Sequence, residues 1–354
     1  MTTPPALTFL IPGRLETRTG GYEYDRRIIE GLGRLGWHVN VLSLSDSFPR
    51  PTLGASAYAG AVLANLPDGA VVLVDGLAFG AMADQAEMHG ERLRLVALVH
   101  HPLALETGLD HAEVARLRKT EVRALATARR VIVTSHATAS TLASFGVTGD
   151  RISVVEPGTD VAPLARGSGA AALALLCVAS LTPRKGHNVL VEALARLRAF
   201  AWTLTCVGST TLDPAWADTL TATVDTVGLA GRVTFVGEAD REATGGYYDR
   251  SDVFVLPTRY EGYGMVVAES LARGLPVIST PTGAIPNLVG PDGGLLVPPG
   301  DVDGWEAALR EVLHPDVRAR LADGARRRRM LMRSWGTAAA EMASALEPCR
   351  RGRA

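Results

Sequence analysis

At 354 residues the chain is longer than one hydrophobic core ordinarily organises, so two domains are expected. Hydrophobic residues make up 47% and charged residues 21%, a balance that excludes a disordered chain. With 36 basic and 37 acidic side chains the formal net charge is −1, so there is no global field to draw nucleic acid or an anionic membrane, and no nucleic-acid partner is expected.

The first apolar run, Leu7 to Ile11, has no basic region before it and reads as a strand rather than a secretion signal. Gly20–Gly21–Tyr22 follows it as a turn, ahead of a helix over Glu23–Leu32. Strand signals then recur at His38–Leu44, Ala70–Asp75, Leu93–His100, Arg130–Ser135 and Ile152–Glu156, with helical segments between them, of which His111–Arg130 is the clearest. Runs this apolar, separated by helices, are buried on both faces and pair in parallel, which predicts a doubly wound sheet. A Pro-, Gly- and Ser-rich connector over Pro157–Gly169 follows, and the domain boundary is placed at 166/167.

The pattern restarts with Ala172–Ala179, Thr203–Val207, Val233–Val236, Val253–Leu256, Pro276–Ser279 and Leu295–Val297, and with a helix over Asn188–Ala199. The fold class is therefore α/β, with two Rossmann-like doubly wound parallel-sheet domains, 1–166 and 167–334. Open sheets of this kind take ligands at the carboxyl ends of their strands, so two of them are expected to face a central cleft. Residues 335–354 read as a closing helix over Ala338–Leu346 that packs back toward the first domain, and a disordered basic tail, Arg350–Arg353. No stretch is long enough to span a bilayer, so at most peripheral membrane contact is expected. The basic runs Arg116–Arg130 and Arg326–Arg329 read as solvated helix faces. Three cysteines, with Cys177 and Cys206 inside apolar strands, read as buried thiols in a cytoplasmic protein.

The richest loop is Pro257–Glu269, which leaves the strand ending at Leu256 and opens a helix. Gly262 and Gly264 let the backbone turn tightly, and the helix that begins at Met265 points free amides and its positive end at any phosphate placed there. Glu261 lies in the loop within reach of sugar hydroxyls, and Glu269 two turns on, within reach of ribose. This stretch, with its Glu-Gly-Tyr-Gly core and Glu-x7-Glu spacing, resembles the donor-binding signature of the retaining family 4 (group 1) glycosyltransferases of GT-B fold. Three other segments are similar to that family. Gly20–Gly21 resembles its Gly-Gly turn, Arg184–Lys185–Gly186 its phosphate loop, and His100–His101–Pro102 a loop whose histidine meets acceptor or donor sugar; the sequence leaves open which of His100 and His101 faces the site. Ser180 stands where the family commonly has an arginine, with Arg184 as the substitute cation, and Thr282–Gly283–Ala284–Ile285–Pro286–Asn287 departs from the family's Gly-Gly-x-Pro-Glu loop.

The resemblance implies transfer of a hexose, with retention, from a nucleoside diphosphate sugar to a small-molecule, lipid or glycan acceptor. A UDP-sugar is the first expectation for the donor and GDP-mannose the second. His100, Glu261 and Lys185 are the implied catalytic residues. Gly20, Gly21, Arg184, Lys185, Glu261, Gly262, Tyr263, Gly264, Met265 and Glu269 are the implied donor-binding residues. No metal or cofactor is expected beyond the sugar nucleotide itself. The segments Asp46–Tyr58 and Pro102–His111, read as loops, are expected to shape the acceptor side. A sugar-nucleotide 2-epimerase and a non-catalytic nucleotide-sugar-binding protein stay open as other readings.

Overall fold

The computed structural model describes residues 4–350. The tail read as disordered therefore lies, from residue 351 on, outside the described residues. The chain divides into two compact units, one of residues 1–158 and 333–354, the other of residues 159–332.

The first unit is built on a six-stranded parallel sheet of β1 (Ala6–Pro12), β2 (His38–Leu44), β3 (Val71–Asp75), β4 (Arg94–Val99), β5 (Arg130–Val133) and β6 (Ile152–Val154), in the order β2-β1-β3-β4-β5-β6. Its middle strands are buried almost throughout: all five residues of β3 and the last five of β4 are buried, and all of these but Asp75 are apolar. The second unit repeats the plan with β7 (Leu173–Val178), β8 (Trp202–Val207), β9 (Val233–Gly237), β10 (Val253–Leu256), β11 (Val277–Ser279) and β12 (Gly294–Leu296), in the order β12-β11-β10-β7-β8-β9. All twelve expected strands are present, most shifted at an end by a residue or two. Cys177 and Cys206 are buried partners on β7 and β8, as their apolar context predicts.

Each strand order reverses once, between β1 and β3 in the first sheet and between β7 and β10 in the second. At such a reversal the loops leaving the two strands diverge to opposite faces and open a crevice at the strand ends. The chain's unusual loops lie at these two places.

The expected boundary at 166/167 is displaced to 158/159, because the intervening residues bond into the second unit. Ala165 N–H donates to the Arg273 carbonyl at 2.8 Å, Gly167 N–H to that of Asp249 at 3.0 Å, and Arg241 pairs with Asp160. The chain returns to the first unit at Arg333, which pairs with Glu156 and Glu341. The closing helix, Trp335–Arg350, lies on the helix Gly20–Arg34. Gly31 permits that approach, since a Cβ there would meet Ala339 Cβ at 2.4 Å.

Three local expectations change. Gly20 and Gly21 form the first turn of their helix rather than a turn before it, with Glu23 N–H bonded to the Thr19 carbonyl at 3.0 Å. The segment Asp46–Tyr58 is a loop only up to Thr52, whose hydroxyl caps the helix Leu53–Ala64 by accepting from Ala55 N–H. The run Arg326–Arg329 is largely engaged with its own unit: Arg326 pairs with Asp323 and Arg327 with Asp292, while Arg328 donates to the Leu288 and Asn287 carbonyls.

Candidate functional site

In the second unit the sheet reversal sets the loop after β7 beside the loop after β10. Arg184 and Lys185 lie in a short 3-10 turn, Pro183–Lys185, which Gly186 ends in a left-handed conformation with φ 71°. No side chain fits there, because a Cβ on Gly186 would lie 2.1 Å from the Pro257 carbonyl oxygen. The two loops are then laced together. Arg259 N–H donates to the Arg184 carbonyl at 2.7 Å, the Arg184 guanidinium to the Tyr260 carbonyl at 3.1 Å, and the Thr258 hydroxyl bridges both carbonyls.

This lacing brings the Lys185 ammonium to 2.6 Å from Glu261 Oε2, with only 15% and 17% of the two side chains exposed. Burial pulls the Lys185 pKa down, and Glu261 opposes that by stabilising the ammonium. An ammonium has three hydrogens, so Lys185 keeps capacity for a ligand beside Glu261.

Glu261 is backed from the other side by the loop after β11. Thr280 donates to the Thr258 carbonyl at 2.7 Å and Ala284 N–H to the Gly262 carbonyl at 3.3 Å. Gly283, at φ 55°, passes so close to the Glu261 carbonyl that a Cβ would lie 1.6 Å from its oxygen. Tyr263 is buried, and Gly264, left-handed at φ 94°, turns the chain into the helix Met265–Ala272. That helix has no side-chain cap, so its first amides remain for an anion. On the same helix Glu269 accepts from the Tyr248 hydroxyl at 3.1 Å.

In the first unit the reversal between β1 and β3 gathers a second group. His100 follows β4, Asp75 ends β3, and Gly21 and Asp25 lie one turn apart on the Gly20 helix, which places them on the same face. A Cβ on Gly21 would touch His100 Cδ2 at 3.5 Å. His100 Nε2 is 3.2 Å from Asp25 Oδ1 and 3.4 Å from Asp75 Oδ2. Burial works against charge on His100, yet the two carboxylates outweigh it and lift its pKa to about 10. These three are the one group of metal-ligating types gathered among the described residues. A hydrogen on Nε2 shared between the carboxylates accounts for their contacts. His101 lies 3.9 Å from Glu106, away from this group. The loop after it is held by Glu121, whose carboxylate accepts from Leu103 N–H at 3.1 Å and Ala104 N–H at 3.5 Å.

The structure thus brings Arg184, Lys185, Glu261, Gly262, Tyr263, Gly264, Met265 and Glu269 together in one unit, and Gly20, Gly21 and His100 in the other. Asn287 is exposed, and its backbone carbonyl accepts from Arg328. Sequence reasoning missed Asp25, Asp75, Tyr248 and Gly283. Asp25 left a signal, a carboxylate one turn after Gly21 on a helix face otherwise built of Tyr24, Ile28 and Leu32. Asp75, the last residue of an otherwise apolar strand, left another.

Two parallel six-stranded sheets with these loops at their reversals define a GT-B type protein. The solved structure of sucrose-phosphate synthase from Thermosynechococcus elongatus aligns with a TM-score of 0.82 at 22% identity, covering 97% of this chain and 98% of that one. HepE from Anabaena, solved with UDP and glucose, aligns with a TM-score of 0.76 at 18% identity over 96% of this chain and 99% of that one. The sequence profile described as "Glycosyl transferases group 1" matches residues 172–315, and that described as "Glycosyltransferase Family 4" matches residues 70–162. An MMP alpha-(1->4)-mannosyltransferase of Mycolicibacterium hassiacum is 30% identical over 72% of this chain and 65% of its own length. A D-inositol 3-phosphate glycosyltransferase of Mycolicibacterium smegmatis is 32% identical over 52% of this chain and 45% of its own. The chain thus spans roughly half to two thirds of the length of these curated relatives. It belongs to the group 1, family 4 glycosyltransferases.

Proposed function

We propose that the protein transfers a hexose, with retention and without a metal, from a nucleoside diphosphate sugar to an acceptor hydroxyl. The observation that carries this reading is the Lys185–Glu261 pair, held at 2.6 Å beside the uncapped start of the Met265 helix. Lys185, Arg184 and the helix amides receive the diphosphate, and their charge offsets what develops on it as the sugar leaves. Glu261 orients sugar hydroxyls, and Glu269, steadied by Tyr248, binds the ribose. The acceptor hydroxyl attacks from the side on which the diphosphate departs. Its O–H bond breaks as the new C–O bond forms, and the proton passes to the departing phosphate oxygen.

A UDP-sugar is the preferred donor in this reading, supported by the fold shared with HepE, whose structure holds UDP and glucose. GDP-mannose stands second, in keeping with the mannosyltransferase relative. The acceptor is a small molecule, a lipid or a glycan. No helix among the described residues is long and apolar enough to cross a membrane.

The test is donor hydrolysis and transfer over a panel of UDP-, GDP- and ADP-sugars with wild type and Glu261→Ala. The expected result is turnover of one donor class, lowered at least about 100-fold by the substitution, or about 2.7 kcal/mol of transition-state stabilisation. Unchanged turnover by a folded Glu261→Ala protein sinks the assignment.

A further inference from the structure

Asp25 and Asp75 take no part in donor binding as described, yet they enclose His100 almost completely on one side. Asp25 is fully buried and Asp75 is 3% exposed, whereas the His100 side chain keeps 21% of its surface open. Both groups facing Nε2 are hydrogen-bond acceptors, so that nitrogen carries its hydrogen inward. Asp25 Oδ2 has no hydrogen-bond partner among the described residues, which leaves His100, through Oδ1, as the side chain that meets this buried carboxylate.

We infer that Asp25 and Asp75 are positioning residues that hold His100 as an imidazolium, Nε2–H turned to the two carboxylates, so that Nδ1–H is a charged donor for an oxygen of the acceptor. The inference rests on the transferase reading above for what the donor meets, but not for the state of the ring.

The other groups around the ring leave that charge in place. Tyr24, on the same helix as Asp25, sets its ring edge-on to the imidazole at 5.2 Å. Tyr22 lies on that helix too, and burial together with Asp75, Asp25 and Asp46 pushes its hydroxyl up to about 12, so it stays neutral. The nearest cation on the helix, Arg26, is engaged by Glu23 at 2.7 Å, so its repulsion of His100 is offset. Against the burial cost, the two carboxylates are the charges that bond the ring directly among the described residues.

An imidazolium with both nitrogens protonated has no lone pair for the acceptor's proton. His100 therefore stabilises negative charge on oxygen rather than acting as a general base, and the acceptor proton is left to the departing phosphate.

The test is a titration of the full chain carrying 15N-labelled histidine, read by the ring nitrogen shifts of His100 from about pH 5.5 to 11, which brackets both the ordinary histidine midpoint and the raised one. It is run on wild type, Asp25→Asn and Asp75→Asn, each checked for folding by thermal unfolding. The wild-type ring is expected to stay protonated at both nitrogens at about pH 8, and Asp25→Asn to lower its midpoint by at least about one pH unit. In transfer assays Asp25→Asn should lower kcat at least about ten-fold at pH 8 and less at pH 6, with the donor KM within about two-fold. A neutral ring in the wild type at pH 7 overturns the proposal, as does an unmoved midpoint in both folded variants. His100 shifts that follow added Zn2+ in the wild type overturn it as well, in favour of a metal site. Should neither unsubstituted donor nor acceptor panel turn over, the transferase reading fails, while the titration still decides the state of His100.

Discussion

Replacing Gly283 with alanine tests whether the third loop of the second unit sets the position of Glu261. Gly283 has φ 55°, and a Cβ built there lies 1.6 Å from the Glu261 carbonyl oxygen and 2.7 Å from that of Gly262. Both obstacles are backbone, so no rotamer change relieves them. The Glu261 carbonyl must retreat by about 1.4 Å to reach a 3.0 Å contact, and a misplacement of about 1 Å costs roughly 100-fold in rate where a positioned group is at stake. The left-handed backbone adds roughly 1 kcal/mol of strain, which falls on stability rather than on turnover. Gly231→Ala isolates that second effect, because Gly231 is left-handed at φ 79° with nothing within 4 Å of its Cβ. Donor turnover in Gly283→Ala should therefore fall at least about 100-fold, while Gly231→Ala loses a little melting temperature and keeps its turnover. Wild-type kcat/KM in a folded Gly283→Ala protein refutes the reasoning.

Two further outcomes follow from contacts of the same kind. Tyr248→Phe removes the hydroxyl that donates to Glu269 at 3.1 Å and to the Val266 carbonyl at 3.2 Å, and should raise the donor KM about three- to ten-fold with little change in kcat, measured by steady-state kinetics. For His100 the folded-state pKa is raised to about 10, above the ordinary value, so the stability drawn from its charge is present near pH 6.5, above the value of about 6 to which burial lifts Asp25, and is lost as pH rises toward 10. Thermal unfolding of wild type and His100→Gln should show the gap between them narrowing over that range, and a gap that widens contradicts the sign.

The Glu-Gly-Tyr-Gly loop was legible because each of its features is local. A strand of four apolar residues precedes it, glycine sits where the backbone turns left-handed, and a helix follows at once. Gly186 was legible for the same reason, as the residue that ends the turn carrying Arg184 and Lys185. The carboxylates around His100 were not, because Asp25, Asp75 and His100 are 50 and 25 residues apart in sequence. Only the parallel pairing of β3 with β4, and of β1 with β3, carries them to one place. Gly283 and Tyr248 were silent for a similar reason, since each acts on Glu261 or Glu269 from another strand's loop or helix.

The sequence by itself determined two doubly wound sheets, their strands within a residue or two, and the loop that holds Glu261, because apolar runs and glycine punctuation act over a few residues. Tertiary structure alone decided where the first unit ends, since the connector's hydrogen bonds go to Arg273 and Asp249 of the second. It also decided that Lys185 faces Glu261 and that His100 sits between two buried carboxylates. Charge pairing of that kind depends on which strands become neighbours, and strand order is set by the packing of the whole sheet.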